Sequence, residues 1–260
     1  MDTRLELGVT RLGPRAFRRQ METLARAGYR TLGSAALLRP QEGGHQGPGA
    51  EAASPAVVLT FDDGYEPLAR HAFPILADLG LRALVFVVTD YVGRDNDWDV
   101  HYGWRRFRHL SWDDLARWQE RGIEVHSHGA THARLTWVSN AQAEDELGRS
   151  RAAITQRLGV SPEGVGYPFG AVDSRVQALA AAAGYKLGFA GPGARSAAGT
   201  GLLGLCRRPV YAWDAFAFPW VLREDAAGAF GMAVARLTNR CAVGTAFFQR
   251  LLGARYTASQ

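Results

Sequence analysis

Apolar, β-branched runs recur along this chain, each followed by a helical pattern, and that alternation limits the possible folds more than any other feature. Ala56-Val57-Val58-Leu59-Thr60-Phe61 is the first such run. A short strand without polar alternation suits a sheet covered on both faces, as parallel sheets are. The spacing predicts a helix over 67–79 stopped by Gly80 and a second strand over 82–88, which together make a βαβ unit. Ser111 caps a predicted helix reaching about 120, and strands follow over 122–127, 165–167 and 185–190. Helices over 141–158 and 174–183 separate them. The pattern implies an α/β fold with a parallel sheet, closed as a barrel or left open and doubly wound.

Outside this frame, Phe17, Met21, Leu24 and Ala25 lie at helical spacing within 15–27, with Gly28 as the stop. The stretch 40–55 is rich in Gly, Ala, Pro and Glu and reads as a surface loop. A length of 260 residues suits one large core, so the expectation is a single domain over 1–260. Within it lie a motif-bearing core of about 56–212, an N-terminal helix and loop over 1–55, and a C-terminal helical segment over 225–260. The 47% hydrophobic and 21% charged composition excludes general disorder. The net charge of +5 is carried by scattered arginines, Lys186 being the only lysine, so no basic stripe points to nucleic acid. Cys206 and Cys241 lack metal or redox spacing and are expected to be two buried thiols. The first residues contain no apolar leader and no later run would span a membrane, so the expectation is a cytoplasmic protein with no indicated membrane association. Oligomeric state is not legible.

Chemistry concentrates where predicted strands give way to loops, the ends that converge on the mouth of a β/α barrel. Thr60-Phe61-Asp62-Asp63-Gly64 sets two carboxylates side by side, which calls for a cation or a shared proton, although Asp-Asp-Gly is also common turn chemistry. His126-Ser127-His128-Gly129-Ala130-Thr131-His132 gathers three of the seven histidines, and imidazoles four apart can face one way to hold zinc. Gly166-Tyr167-Pro168-Phe169-Gly170 is a tight turn whose glycines allow close approach of backbone, so the Phe169 N–H is a candidate oxyanion donor.

Taken together, TFDDG, SHGATH and YPFG, with RHLSWDDL between them, resemble the motifs of the polysaccharide deacetylase family, carbohydrate esterase family four, over about 57–210. The resemblance implies a distorted (β/α) barrel of about seven parallel strands with a divalent metal, usually zinc, at its mouth. It implies Asp63, His128 and His132 as metal ligands and Asp62 as general base. Water activated by the metal would give its proton to Asp62 and attack an acetamide carbonyl carbon. The Phe169 N–H would then steady the oxyanion.

Two departures stand out. Many members carry an arginine shortly before the proline of the third motif, where this chain has Gly166-Tyr167, and Arg208 is expected to replace it as the partner of Asp62. Members also often draw the general acid from a late histidine, yet no histidine follows His132. The acid is therefore unassigned: His126 is a candidate, since strand alternation puts it on the face of Glu124 and His128, His101 and His109 lie in a loop that could fold over the mouth, and metal-bound water could also be the donor. Trp98, Tyr102, Trp104, Phe107 and Trp112 could stack sugars or simply pack the core, and Phe216 to Trp220 reads as buried.

The expected function is therefore removal of N-acetyl groups from a bacterial N-acetylhexosamine glycan or glycolipid. The alternatives are another amide, an O-acetyl ester, or a catalytically silent glycan-binding barrel.

Overall fold

The computed structural model describes residues 12–39, 55–96, 107–192 and 201–210. Its centre is a six-stranded, all-parallel sheet in chain order: β3 (Thr60–Phe61), β4 (Ala83–Val87), β5 (Ile123–Ser127), β6 (Gly164–Gly166), β7 (Leu187–Ala190) and β8 (Leu205–Cys206). The sheet curls into a half-barrel with helices outside, as anticipated. One predicted strand is divided. Over 56–61 the chain first pairs β2 (Ala56–Val57) with β1 (Arg30–Thr31), then changes partner and continues as β3 beside β4.

Alternation within each strand sorts side chains into two environments. Leu84, Phe86, Leu187 and Phe189 cluster inside the curl with Val58 and Leu205. Their neighbours Ala83, Val85, Val87, Ile123 and Val125 face outward onto α1 (Pro14–Arg26), α3 (Phe73–Asp78) and α4 (Trp112–Gln119). Val165 and Tyr167 face α5 (Asn140–Leu158) and α6 (Ser174–Ala182). Every residue of β4 is buried, which is why its five positions carry no polar side chain.

Helix starts follow the sequence closely. Ser111 and Ser139 each form reciprocal caps, with Asp114 and Gln142 three residues on. The helix expected over 67–79 is less regular, beginning as a π-helical stretch, Leu68–Ala72, and becoming α only at Phe73. Pro74 explains this, because it cannot donate to the carbonyl one turn earlier. The loop expected over 40–55 lies almost entirely outside the described residues, as do the C-terminal segment over 225–260 and Cys241. Cys206 corrects an expectation: it is exposed, since Leu205 takes the inward position of β8. No helix among the described residues is long and apolar enough to cross a membrane.

The N-terminal segment seals the inside of the barrel. Leu37 and Leu38 of α2 (Ser34–Leu38) join the inner apolar cluster, and the Ser34 N–H donates to Glu124 Oε2 at 2.8 Å. The carboxylate lies so close to Gly33 that a Cβ there would fall 1.9 Å from Oε1. Burial alone would raise the Glu124 pKa, but His126, with Nε2 at 3.5 Å, and Ser34 outweigh it and bring it down to about 2.

A carboxyl group lowered on folding stabilises the native state above its unfolded value, 4.5, and loses that contribution as pH falls from 4.5 toward 2. Glu124→Gln is therefore expected to cost about 1–3 kcal/mol at neutral pH, allowing for solvent screening. Denaturant melts of both proteins across pH should show the difference shrinking below pH 4.5; a constant gap would refute the linkage.

Candidate active site

Four segments meet at the C-terminal rim of the sheet. Asp62 and Asp63 follow β3, His128 follows β5 and leads to His132, Phe169 lies in the turn after β6, and Arg207 follows β8. Potential ligand atoms of Asp63, His128 and His132 all lie within 4.8 Å of one another. His128 Nε2 is 3.6 Å and His132 Nε2 3.4 Å from Asp63 Oδ1. The two imidazole rings sit 4.9 Å apart.

The backbone is bent sharply to achieve this. Among the described residues, the non-glycine positions in the left-handed region are Asp63 (φ 67°), His132 (φ 64°) and Phe169 (φ 60°), all belonging to this site. Such conformations persist only where surrounding contacts impose them. For Asp63 one such contact is the buried His109, whose Nδ1 lies 2.8 Å from the Asp63 carbonyl oxygen. For His132 it is Glu146, buried on α5, whose carboxylate accepts the Ala130 and Thr131 N–H groups at 2.8 and 2.9 Å and the Thr131 hydroxyl. The loop after β5 is thus folded around one carboxylate. From sequence, His109 was considered only as a loop histidine that could reach the mouth as an acid, and Glu146 was assigned no role. Glu146 had a signal, an acidic residue on the stripe of Ala143, Leu147, Ser150 and Ile154 that α5 buries.

The donor set fits a divalent cation. His128 Nδ1 lies 2.6 Å from the Gly166 carbonyl, which accepts its proton and leaves Nε2 turned to Asp63 with its lone pair. Burial, the largest influence, lowers the pKa of both imidazoles; Arg207 adds to this at His128, and His128 and His109 add to it at His132. Asp62 works in the opposite direction on both, without reversing the outcome. Neutral rings are what ligation requires.

Asp62 is held by an arginine, but not the expected one. Arg207, not Arg208, forms a two-pronged ion pair with it, Nη1 to Oδ1 at 2.6 Å and Nη2 to Oδ2 at 2.9 Å. Register decides which arginine arrives. Leu205 points inward, so position 207 does too, and 208 takes the other parity. The Arg207 guanidinium also lies 5.4 Å from the Phe86 ring and 3.4 Å from Thr60 Oγ1. The missing arginine near the third motif has a steric cause as well: a Cβ at Gly166 would come 2.7 Å from Phe86 and 3.1 Å from His128 Nδ1. Withdrawal from solvent pushes the Asp62 pKa up, yet Arg207 chiefly, with His128 and His132, brings it down to about 2. Its side chain remains 38% accessible, open to a reactant.

His126 also departs from expectation. It shares the inward face with His128 but lies one strand repeat below it, 4% exposed. Nδ1 accepts the Gly164 N–H at 3.2 Å and Nε2 faces Glu124, so its contacts belong to the barrel interior rather than to the mouth and do not support a proton donor to a leaving group. Phe169 packs its ring 4.7 Å from His132. Of the candidate aromatics, Trp98, Tyr102 and Trp104 lie outside the described residues, as do His101 and the 216–220 stretch; Trp112 packs partly buried against the outer core.

Residues 49–188 match the family model described as polysaccharide deacetylase, and the chain belongs to that family. YxkH of Bacillus subtilis (strain 168) is 25% identical over 189 residues, covering 72% of this chain and 61% of YxkH. The poly-beta-1,6-N-acetyl-D-glucosamine N-deacetylase of Staphylococcus aureus (strain MSSA476) is 25% identical over 143 residues, 52% of this chain and 47% of that protein. This chain therefore spans about half to three-fifths of the length of these curated relatives. The Streptococcus pyogenes deacetylase PplD, solved in complex with acetate, shares the fold at TM-score 0.64 and 22% identity, over 80% of this chain and 84% of PplD.

Zinc titration of chelator-treated protein should show one tight site that Asp63→Ala and His132→Ala abolish. Glu146→Ala should weaken it roughly 10- to 100-fold, as loss of a residue that positions ligands does. Unchanged affinity in the Asp63 or His132 variants would place the cation elsewhere.

Proposed function

We propose that this protein is a metal-dependent hydrolase that removes N-acetyl groups from an N-acetylhexosamine glycan. The observation that carries this reading is the junction of two carboxylate environments on adjacent residues. Asp63 faces two neutral imidazoles, while Asp62 is clamped by Arg207 and stays accessible. A binding module has no need for the second carboxylate. Family membership supports the reaction class, and the S. aureus relative's substrate, a β-1,6-linked N-acetylglucosamine polymer, supports the glycan.

When bound at Asp63, His128 and His132, a divalent cation supplies Lewis acidity, polarising the acetamide carbonyl and acidifying water. Asp62 takes the proton of the attacking water. Its depressed pKa keeps it ionised throughout the ordinary pH range, and Arg207 fixes both oxygens so that the carboxylate cannot rotate away. Attack at the carbonyl carbon gives a tetrahedral intermediate, whose oxyanion the Phe169 N–H, in the left-handed turn after β6, would steady. The same depressed pKa makes protonated Asp62 a strong acid. It hands the proton to the amide nitrogen as the C–N bond breaks, releasing acetate and a free amino sugar. This accounts for a chain with no histidine after His132.

The test is acetate release from β-1,6- and β-1,4-linked N-acetylglucosamine oligomers by zinc-loaded protein. Asp62→Asn should lower kcat by roughly 10²- to 10⁴-fold. Arg207→Ala should lower it at least about ten-fold, an effect worth about 1.4 kcal/mol, while Arg208→Ala is much milder. Equal losses in the two arginine variants would overturn the pairing, and full turnover in Asp62→Asn would overturn the mechanism.

A further inference from the structure

Beyond the metal centre, the chain after His132 carries an arginine that its surroundings do not explain. Arg134 is partly buried, and among the described residues no carboxylate pairs with it. Its Nε is shut off from solvent without a hydrogen-bond partner. The guanidinium instead lies 4.6 Å over the ring of Trp137 and 6.0 Å from that of Phe169. Phe169 in turn packs 4.7 Å from the ring of His132. A continuous ramp therefore runs from the candidate cation site through Phe169 and Arg134 to Trp137. At its outer end Trp137 is 40% exposed, one of the few large hydrophobic side chains left open to solvent among the described residues.

A burial cost without a neutralising carboxylate, beside an open indole, is poor design for stability alone. The terminal Nη groups, which are not shut off in this way, offer only donors, so what completes them must present acceptor oxygens. A simple anion would need the guanidinium and would leave the indole without purpose. A pyranose satisfies both, with hydroxyl and acetamide oxygens on its rim and an apolar C–H face that lies flat on an aromatic ring.

We propose that Trp137 and Arg134 form a subsite for the sugar unit next to the one being deacetylated, the indole stacking its ring and the guanidinium donating to its hydroxyl or acetamide oxygens. The subsite rests on the glycan reading above, and it makes the protein an enzyme of chains rather than of single sugars. It places the reacting acetamide by holding the neighbouring unit beside Phe169, which packs against His132.

The experiment separates the subsite from the chemistry. Calorimetry on the full chain bearing Asp62→Asn measures binding of the N-acetylglucosamine monomer and of β-1,6- and β-1,4-linked pentamers, without turnover. The expected result is a pentamer bound at least about ten-fold more tightly than the monomer. Trp137→Ala or Arg134→Met added to the same background should remove that advantage while leaving monomer binding and melting temperature unchanged. Trp137→Phe should restore most of it, and should Trp137→Ala fail to fold, Trp137→Phe against Trp137→Leu reads the same contrast. A pentamer bound no better than the monomer, or an advantage that survives both substitutions, overturns the subsite. Acetate release by the unsubstituted protein is scored separately, so a chain that binds pentamers through Trp137 but releases no acetate keeps the subsite and loses the hydrolytic reading.

Discussion

The Asp62–Arg207 ion pair joins the two ends of the sheet. Asp62 follows the first strand of the curl and Arg207 the last, so their two-pronged contact, with Thr60 beside it, is where the open sheet is drawn toward a barrel. The pair is accessible on the carboxylate side and enclosed on the arginine side, where Phe86 lies beneath the guanidinium. An exposed ion pair contributes little to stability. Here its value is geometric: it ties the first strand of the curl to the last at the common rim, and it keeps the Asp62 carboxylate ionised.

Around that closure the inner and outer faces of the strands carry different duties. Outward positions are apolar and bury the helices. Inward positions run from Leu37 and Leu38 at one end, through Glu124 and His126, to His128 at the rim. Polar groups inside the curl are linked in a chain, Ser34 N–H to Glu124, Glu124 beside His126, Gly164 N–H to His126 and His128 to Gly166. The N-terminal segment is therefore part of the barrel.

Most of the frame was legible in the sequence because parallel strands are written as unbroken apolar runs and their ends as polar punctuation. The strands after Arg82 and the cap at Ser111 follow from local pattern, while the gathering of Asp63, His128 and His132 was implied by the family resemblance of their motifs. What was missed depends on register and tertiary fit. Two adjacent arginines look alike in a string of letters, and only the inward parity fixed by Leu205 selects 207. His126 has the right parity but the wrong height, a distinction that alternation cannot make. The partner change between β2 and β3 and the π-helical entry to α3 arise from pairing and from Pro74, which periodicity does not encode. Glu146 was visible as a charge on a buried stripe, but its partners are backbone amides contributed by a different loop.

The left-handed backbone at Asp63, His132 and Phe169 has a consequence for how the protein matures. An isolated peptide bearing either motif would not hold these angles, because the contacts that impose them come from β6, α5 and the segment around His109. The ligand cage exists only after the barrel has assembled. A cation held there would therefore not nucleate folding as it does in a zinc finger; it would arrive last and act as a lock, favouring the finished state by mass action.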